Sequence, residues 1–234
     1  VRSRRQRQMC IRDRASGWNR DKVYPLLGFD NLDFMEDYRD VSYVRNYISD
    51  ASDMEHIIET YEKNKASGKP AFIFNVTMQN HGGYTDTYMN LTNDIQSQYA
   101  SEPLNQYLTL IHKTDQALEN LIDYFSKVDD RTIIVFFGDH QPNDTVASVV
   151  ENGAQAETQK RYLVPYLVWS NYGIEGAKDK NTSLNYLAAQ VLTAAGVPTN
   201  AYQNYLLSLS KTYPVISAAV SYTHLRAHET LSDL

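Results

Sequence analysis

Cysteine is almost missing from this chain: among 234 residues only Cys10 carries a thiol. An internal disulfide needs two cysteines and a thiolate metal centre needs several, so both are excluded. No apolar run reaches the roughly 20 residues that a membrane-spanning helix requires, and no signal peptide is visible. Internal repeats and low-complexity segments are absent as well. What is present is 42% hydrophobic and 21% charged residues, the balance of a globular protein large enough for one substantial core. One domain, or most of one, is expected.

The two ends do not match the middle. Residues 1–14, VRSRRQRQMCIRDR, hold six arginines and Cys10, with neither hydrophobic periodicity nor a turn signal, so no folded element is expected there. A basic arm and a non-native segment are the two explanations. Residues 220–234, VSYTHLRAHETLSDL, follow a natural-looking stop at 213–219 and carry two of the six histidines. Both ends resemble translated sequencing-adapter sequence and are set aside as non-native tails. The tails contain seven arginines and three acids; without them 15 basic and 25 acidic residues remain, a net charge of −10. The basic arm is therefore no ground for nucleic-acid binding. The remainder, 15–219, has no cysteine, which fits an exported bacterial protein.

Three short runs read as strands covered on both faces: 71–78 (AFIFNVTM), 132–137 (TIIVFF) and 162–169 (YLVPYLVW). Pro165 places the third near an edge or bulge. Helical patterns lie between them. Ser52 and Glu55 form an expected capping box, followed by Met54, Ile57, Ile58 and Tyr61 on one face, with Gly68 and Pro70 as the stop. A longer helix is expected over 101–127, with Leu104, Leu108, Ile111, Leu118, Leu121, Ile122 and Phe125 inward. A third starts near Thr182, turns Leu184, Leu187, Val191 and Leu192 inward, and ends at Gly196 before Pro198. This alternation is the rhythm of an α/β layer fold with a mostly parallel sheet flanked by helices, in which chemistry gathers beyond the carboxyl ends of the strands. The polar stretch 143–160 reads as a surface loop or short helix.

Chemistry concentrates at three places. In TIIVFFGDHQP, 132–142, an apolar strand ends at Gly138 and delivers Asp139 and His140, a carboxylate and an imidazole that both suit a divalent metal. The pair alone fits equally a turn in which Asp139 caps the backbone. In FIFNVTMQNHGGY, 72–84, a second strand end presents Asn80 and His81 before Gly82 and Gly83, so that His81 can hydrogen-bond or protonate a phosphate oxygen, or stand as an exposed loop histidine. In GWNRDKVYPLLGFDNL, 17–32, Arg20 offers the planar fork that grips phosphate and Trp18 a wall for a polar headgroup, although an Arg beside an Asp is also an ordinary surface pair. His112 and Asp115, three apart on the long helix, are read as a buried structural pair, and His56 as solvent-facing.

Together, Trp-Asn-Arg-Asp, Leu-Gly-Phe-Asp, the strand ending in Asn-His, and Phe-Gly-Asp-His resemble the lipoteichoic acid synthase family over about 15–218. The resemblance implies an alkaline phosphatase-like three-layer α/β sandwich, with 15–219 as a partial sulfatase-like catalytic domain. It implies Asp139 and His140 as metal ligands, and His81, Arg20 and Trp18 as substrate-binding residues. One divalent ion is implied, Mn²⁺ first and Zn²⁺ or Mg²⁺ next. The implied reaction passes phosphoglycerol from an anionic phospholipid to a glycerol-phosphate polymer through a phosphothreonine. The implied place is the extracellular face of a bacterial plasma membrane, with the parent protein anchored through an N-terminal region. No threonine here, Thr77 and Thr85 included, matches the nucleophile, which is expected upstream of this chain together with an acidic ligand. A sulfatase or phosphodiesterase of the same superfamily, and a non-catalytic ectodomain that binds envelope polymer, remain as rivals.

Overall fold

The computed structural model describes residues 6–11, 17–142, 162–174 and 180–216. The chain divides into two compact units, Val1–Phe125 with Pro142–Val150, and Ser126–Gln141 with Glu151–Leu234.

The first unit runs β1 (Gln6–Ile11), α1 (Arg20–Leu26), β2 (Asn31–Asp33), β3 (Tyr43–Val44), β4 (Tyr47–Ile48), α2 (Asp50–Lys65), β5 (Ala71–Val76) and α3 (Glu102–Phe125). Its sheet has the order β2-β1-β5, and β1 is parallel to both neighbours, with Cys10 opposite Asp33 and Asn75. Residues 6–11 thus correct the expectation that no element forms in 1–14. A ladder is made of backbone N–H and C=O groups, so a segment without side-chain alternation still pairs when two partner strands leave a place for it. The short β3 and β4 form an antiparallel hairpin whose turn carries Arg45 in the left-handed region, φ 56.

The cap of helix α2 lies three residues earlier than expected, at Ser49 instead of Ser52. Ser49, extended at φ −65 and ψ 147, accepts from the Ser52 amide at 3.2 Å. Ser52 is buried, and its hydroxyl oxygen accepts the Ser42 amide at 3.0 Å. Asp50 and Asp53 in the first turn favour the positive end of the helix dipole.

Helix α3 buries Leu104, Leu110, Leu118, Leu121 and Phe125 together with polar Asn105, Gln106, Thr109 and Thr114. Ile111 is exposed, because the buried face passes through Leu110 and Thr114 instead. His112 and Asp115 are exposed on the same account, which corrects the buried-pair expectation; His112 Nε2 lies 3.3 Å from Gln116 Nε2. His56 is corrected in the opposite sense. Its side chain is only 19% exposed, 3.1 Å from Asp33 Oδ2, with its ring centroid 4.3 Å from that of Tyr38.

Apolar packing in this unit has two centres. Tyr84, Leu104 and Leu110 gather Val44, Leu91, Tyr107 and Leu108 around them, and Phe34 gathers Tyr24, Phe29, Leu32 and Phe74. Fully burying one such leucine contributes about 1.5–3 kcal/mol.

The second unit runs β6 (Ile133–Phe137), β7 (Tyr166–Ser170), α4 (Leu184–Ala194) and α5 (Ala201–Thr212). β6 and β7 pair antiparallel, Phe137 opposite Tyr166. Pro165 stands immediately before β7, where it needs no ladder N–H, and its carbonyl accepts the Gly138 amide at 3.1 Å. None of β5, β6 and β7 is fully buried: Phe72, Phe137 and Leu167 are exposed. The apolar runs therefore marked strands correctly but overstated their cover.

Helix α4 buries Tyr186, Leu187 and Ala189, while Leu184, expected inward, is exposed. It ends as expected at Gly196, φ 67, where the Val197 amide reaches Leu192 O and the Gly196 amide reaches Thr193 O. Helix α5 was not anticipated, although Asn200 and Gln203 cap it reciprocally, each amide donating to the other's side-chain oxygen at 2.9 Å. Residues 143–160 and 220–234, for which expectations were set out, lie outside the described residues.

Candidate functional site

Strand β6 ends at Phe137, and the next three residues carry the first candidate group. Gly138 has space for little: a Cβ there would meet Val164 Cβ at 3.2 Å. The backbone then turns, and Asp139 Oδ1 accepts the His140 amide at 2.8 Å. On the other side of the imidazole, Nδ1 sits 2.7 Å from the Gln141 carbonyl, which Nδ1 reaches as a donor. Gln141 Nε2 donates to Leu163 O at 2.8 Å and ties the loop to the approach of β7.

With Nδ1 engaged by a carbonyl, the Nε2 lone pair of a neutral His140 is free for a Lewis acid. Nε2 lies 3.4 Å from Asp139 Oδ2, with both side chains well exposed. Two ligands on one tetrahedral ion with bonds of about 2.0–2.1 Å stand roughly 3.4 Å apart. The pair therefore fits a shared divalent ion. Among the described residues no group of three or more His, Cys, Asp or Glu side chains could hold a metal.

The second candidate, His81, belongs to the first unit and follows β5. Its amide donates to Met78 O at 3.0 Å, closing a turn, and the side chain is exposed. The turn is held from two directions. Below it, buried Gln79 accepts the Asp50 amide at 3.0 Å and donates to Leu110 O and Thr114 Oγ1 at 3.3 and 3.2 Å. Asn80 Nδ2 donates to Thr114 Oγ1 at 2.8 Å, and the Thr114 hydroxyl donates to buried Asp50 Oδ2 at 2.6 Å.

Beside the turn, Arg45 is 4% exposed. Its Nη2 donates to Gln79 O at 2.6 Å and His81 O at 2.7 Å, and its Nη1 to Gly83 O at 3.0 Å. Tyr84 OH adds a bond to Asn80 O at 2.7 Å. The guanidinium lies 5.3, 5.6 and 5.9 Å from the ring centroids of Tyr47, Tyr84 and Tyr88, within cation–π range. Burial lowers the Arg45 pKa, with the tyrosines acting against that shift. The Tyr47 hydroxyl lies 3.3 Å from His81 Nδ1.

Arg20, the third candidate, opens α1 and is half-buried, and Trp18 lies in the short turn Gly17–Asn19 just before it. Asn19 stands at the N-cap position of α1 in the left-handed region, φ 52, without a side-chain capping bond. The structure therefore joins Asp139 to His140 in one unit, and His81 to Arg45 and Tyr47 in the other. Arg45 and Tyr47 were missed in the sequence because nothing within YVRNYI itself marks a link to the turn after β5. The acceptors of Arg45 lie 34 to 38 residues further on.

The Sulfatase family model matches residues 7–197 of this chain. A protein of Rhizobium meliloti (strain 1021) named for cyclic beta-1,2-glucan modification is 28% identical over 85% of this chain and 33% of its own length. The lipoteichoic acid synthase-like YvgJ of Bacillus subtilis (strain 168) is 28% identical over 64% of this chain and 24% of its own. The Streptococcus pyogenes phosphoglycerol transferase GacH, solved in complex with sn-glycerol-1-phosphate, superposes with a TM-score of 0.73 at 20% identity, covering 93% of this chain and 58% of that one. The chain thus spans a third or less of the length of these curated relatives.

Proposed function

We propose, from the premise that this chain belongs to the sulfatase family and has an alkaline phosphatase-like α/β fold, that it is part of a metal-dependent phosphoglycerol transferase. The observation that carries this reading is the Asp139–His140 pair, with Oδ2 and Nε2 3.4 Å apart at the end of β6. GacH, a phosphoglycerol transferase solved with glycerol phosphate, shares the fold, and YvgJ is described as lipoteichoic acid synthase-like.

In this reading Asp139 and His140 hold one divalent ion, Mn²⁺ in the first place. When bound, such an ion supplies Lewis acidity that lowers the pKa of a hydroxyl nucleophile and neutralises charge on phosphoryl oxygens. The nucleophile is a threonine in a part of the parent protein outside this chain. Arg20 presents two parallel N–H donors to one phosphate and Trp18 walls the glycerol headgroup. His81 donates a hydrogen bond to a phosphoryl oxygen, a fixed dipole aimed where negative charge grows. The donor is an anionic phospholipid, the acceptor a glycerol-phosphate polymer, and the reaction takes place on the extracellular face of the bacterial membrane.

Manganese binding tests the central claim. Electron paramagnetic resonance of free Mn²⁺, titrated with the full chain, is expected to show weak retention that falls at least tenfold in Asp139→Ala and in His140→Ala. Equal retention by all three proteins would remove the metal site from this strand end. A ³¹P titration with sn-glycerol-1-phosphate tests the phosphate-binding residues, with binding expected to weaken in Arg20→Ala and His81→Gln.

A further inference from the structure

Four carbonyls of the turn that presents His81 accept from side chains. Arg45 takes those of Gln79, His81 and Gly83, and Tyr84 OH takes that of Asn80. A guanidinium can serve three acceptors at once because its donors are fixed in a plane, which an ammonium cannot reproduce. Arg45 does this from a left-handed backbone conformation, φ 56, which is uncommon for a residue with a Cβ. Such strain persists only where surrounding contacts over-determine it. The same hairpin supplies Tyr47, whose hydroxyl meets the imidazole at Nδ1.

From this geometry we infer that Arg45 and Tyr47 are positioning residues for His81. Arg45 fixes the backbone of the 79–83 turn. Tyr47 donates its hydroxyl proton to Nδ1, so that the neutral imidazole keeps its own proton on Nε2, the nitrogen left to donate to a phosphate oxygen. A phenol both donates and accepts, and with Tyr47 as the donor Nδ1 is the unprotonated nitrogen of the ring. The inference rests on His81 being the phosphate-binding histidine proposed above, and adds the two residues that set its place and its tautomer.

Long-range ¹H–¹⁵N spectra of the histidine-labelled full chain, with His81 identified by His81→Gln, read the tautomer directly. The wild type is expected to show His81 as the Nε2–H form, and sn-glycerol-1-phosphate is expected to shift its Nε2 resonance. In Tyr47→Phe the tautomers should mix and the affinity for glycerol phosphate should fall roughly three- to tenfold, the worth of one hydrogen bond, with the thermal midpoint unchanged. Arg45→Lys should weaken binding and lower the midpoint as well. If Tyr47→Phe leaves both tautomer and affinity as in the wild type, the inference is overturned while glycerol-phosphate binding stands. If glycerol phosphate shifts nothing but Tyr47→Phe still alters the tautomer, the positioning role stands and the phosphate role of His81 falls.

Discussion

Gly138 shows how closely chemistry and packing share one residue. It hands the chain from β6 to the Asp139–His140 pair, and the nearest atom to a new methyl group would be Val164 Cβ at 3.2 Å. That carbon is bonded directly to the Val164 Cα, so no rotamer change moves it and the backbone itself must give. Gly138→Ala is therefore expected to destabilise the chain by about 1–2 kcal/mol, measured as a lower urea midpoint, and to weaken Mn²⁺ retention because the pair moves with the backbone. An unchanged midpoint would mean that the Val164 loop yields freely. At this scale the sequence was legible in the strand ends that precede Asp139, His140 and His81, at Phe137 and Val76, while the roles of the three residues are proposals. It was illegible where a residue's partners are remote. Arg45 depends on carbonyls of the 79–83 turn, and His56 is covered by Tyr38 and Asp33 from outside its own helix.

Helix ends and helix pairs obey rules that a periodicity reading captures only in part. The apolar stripes located α2, α3 and α4, and Gly196 stopped α4 where its conformation demands. Ser49 was overlooked because Ser52 with Glu55 gives the better-looking motif, yet Ser52 has a tertiary partner in Ser42. Ser49→Ala is expected to cost about 1 kcal/mol, visible in the thermal midpoint, and Glu55→Ala much less; the reverse order would restore Ser52 as the cap. The α2–α3 contact also makes a pH prediction. The Tyr124 hydroxyl donates to Glu62, and this bond, with smaller help from desolvation, pushes the Tyr124 pKa up to about 12 from 10. A raised pKa means that the folded state holds its proton more tightly. The contribution is complete below pH 10 and is lost as the pH rises through 12. Tyr124→Phe should therefore flatten the fall in stability between pH 10 and 12, followed by chemical denaturation at each pH; parallel curves for both proteins would refute it.

The whole chain separates into two compact units, and its α/β class was readable from the alternation of apolar runs. The place of β1 was not, because residues 6–11 lack the pattern that identifies a strand. Residues 7–14 fall within the Sulfatase match, whereas 220–234 are proposed to be of foreign origin, and removal of the two ends should have unequal effects. Deleting 220–234 is expected to leave the thermal midpoint unchanged. Deleting 1–14 removes the strand between β2 and β5 and is expected to lower it by several degrees, as differential scanning calorimetry would show; equal midpoints would make β1 dispensable. The ladder Gln6–Ile11 forms with β5 runs residue for residue from Ala71 to Val76, so the vacated place is a slot open along both sides. A chain shortened by its first 14 residues would then act as a receptor. An added hexapeptide would find on its two sides the backbone groups of β2 and β5 that the ladder had used.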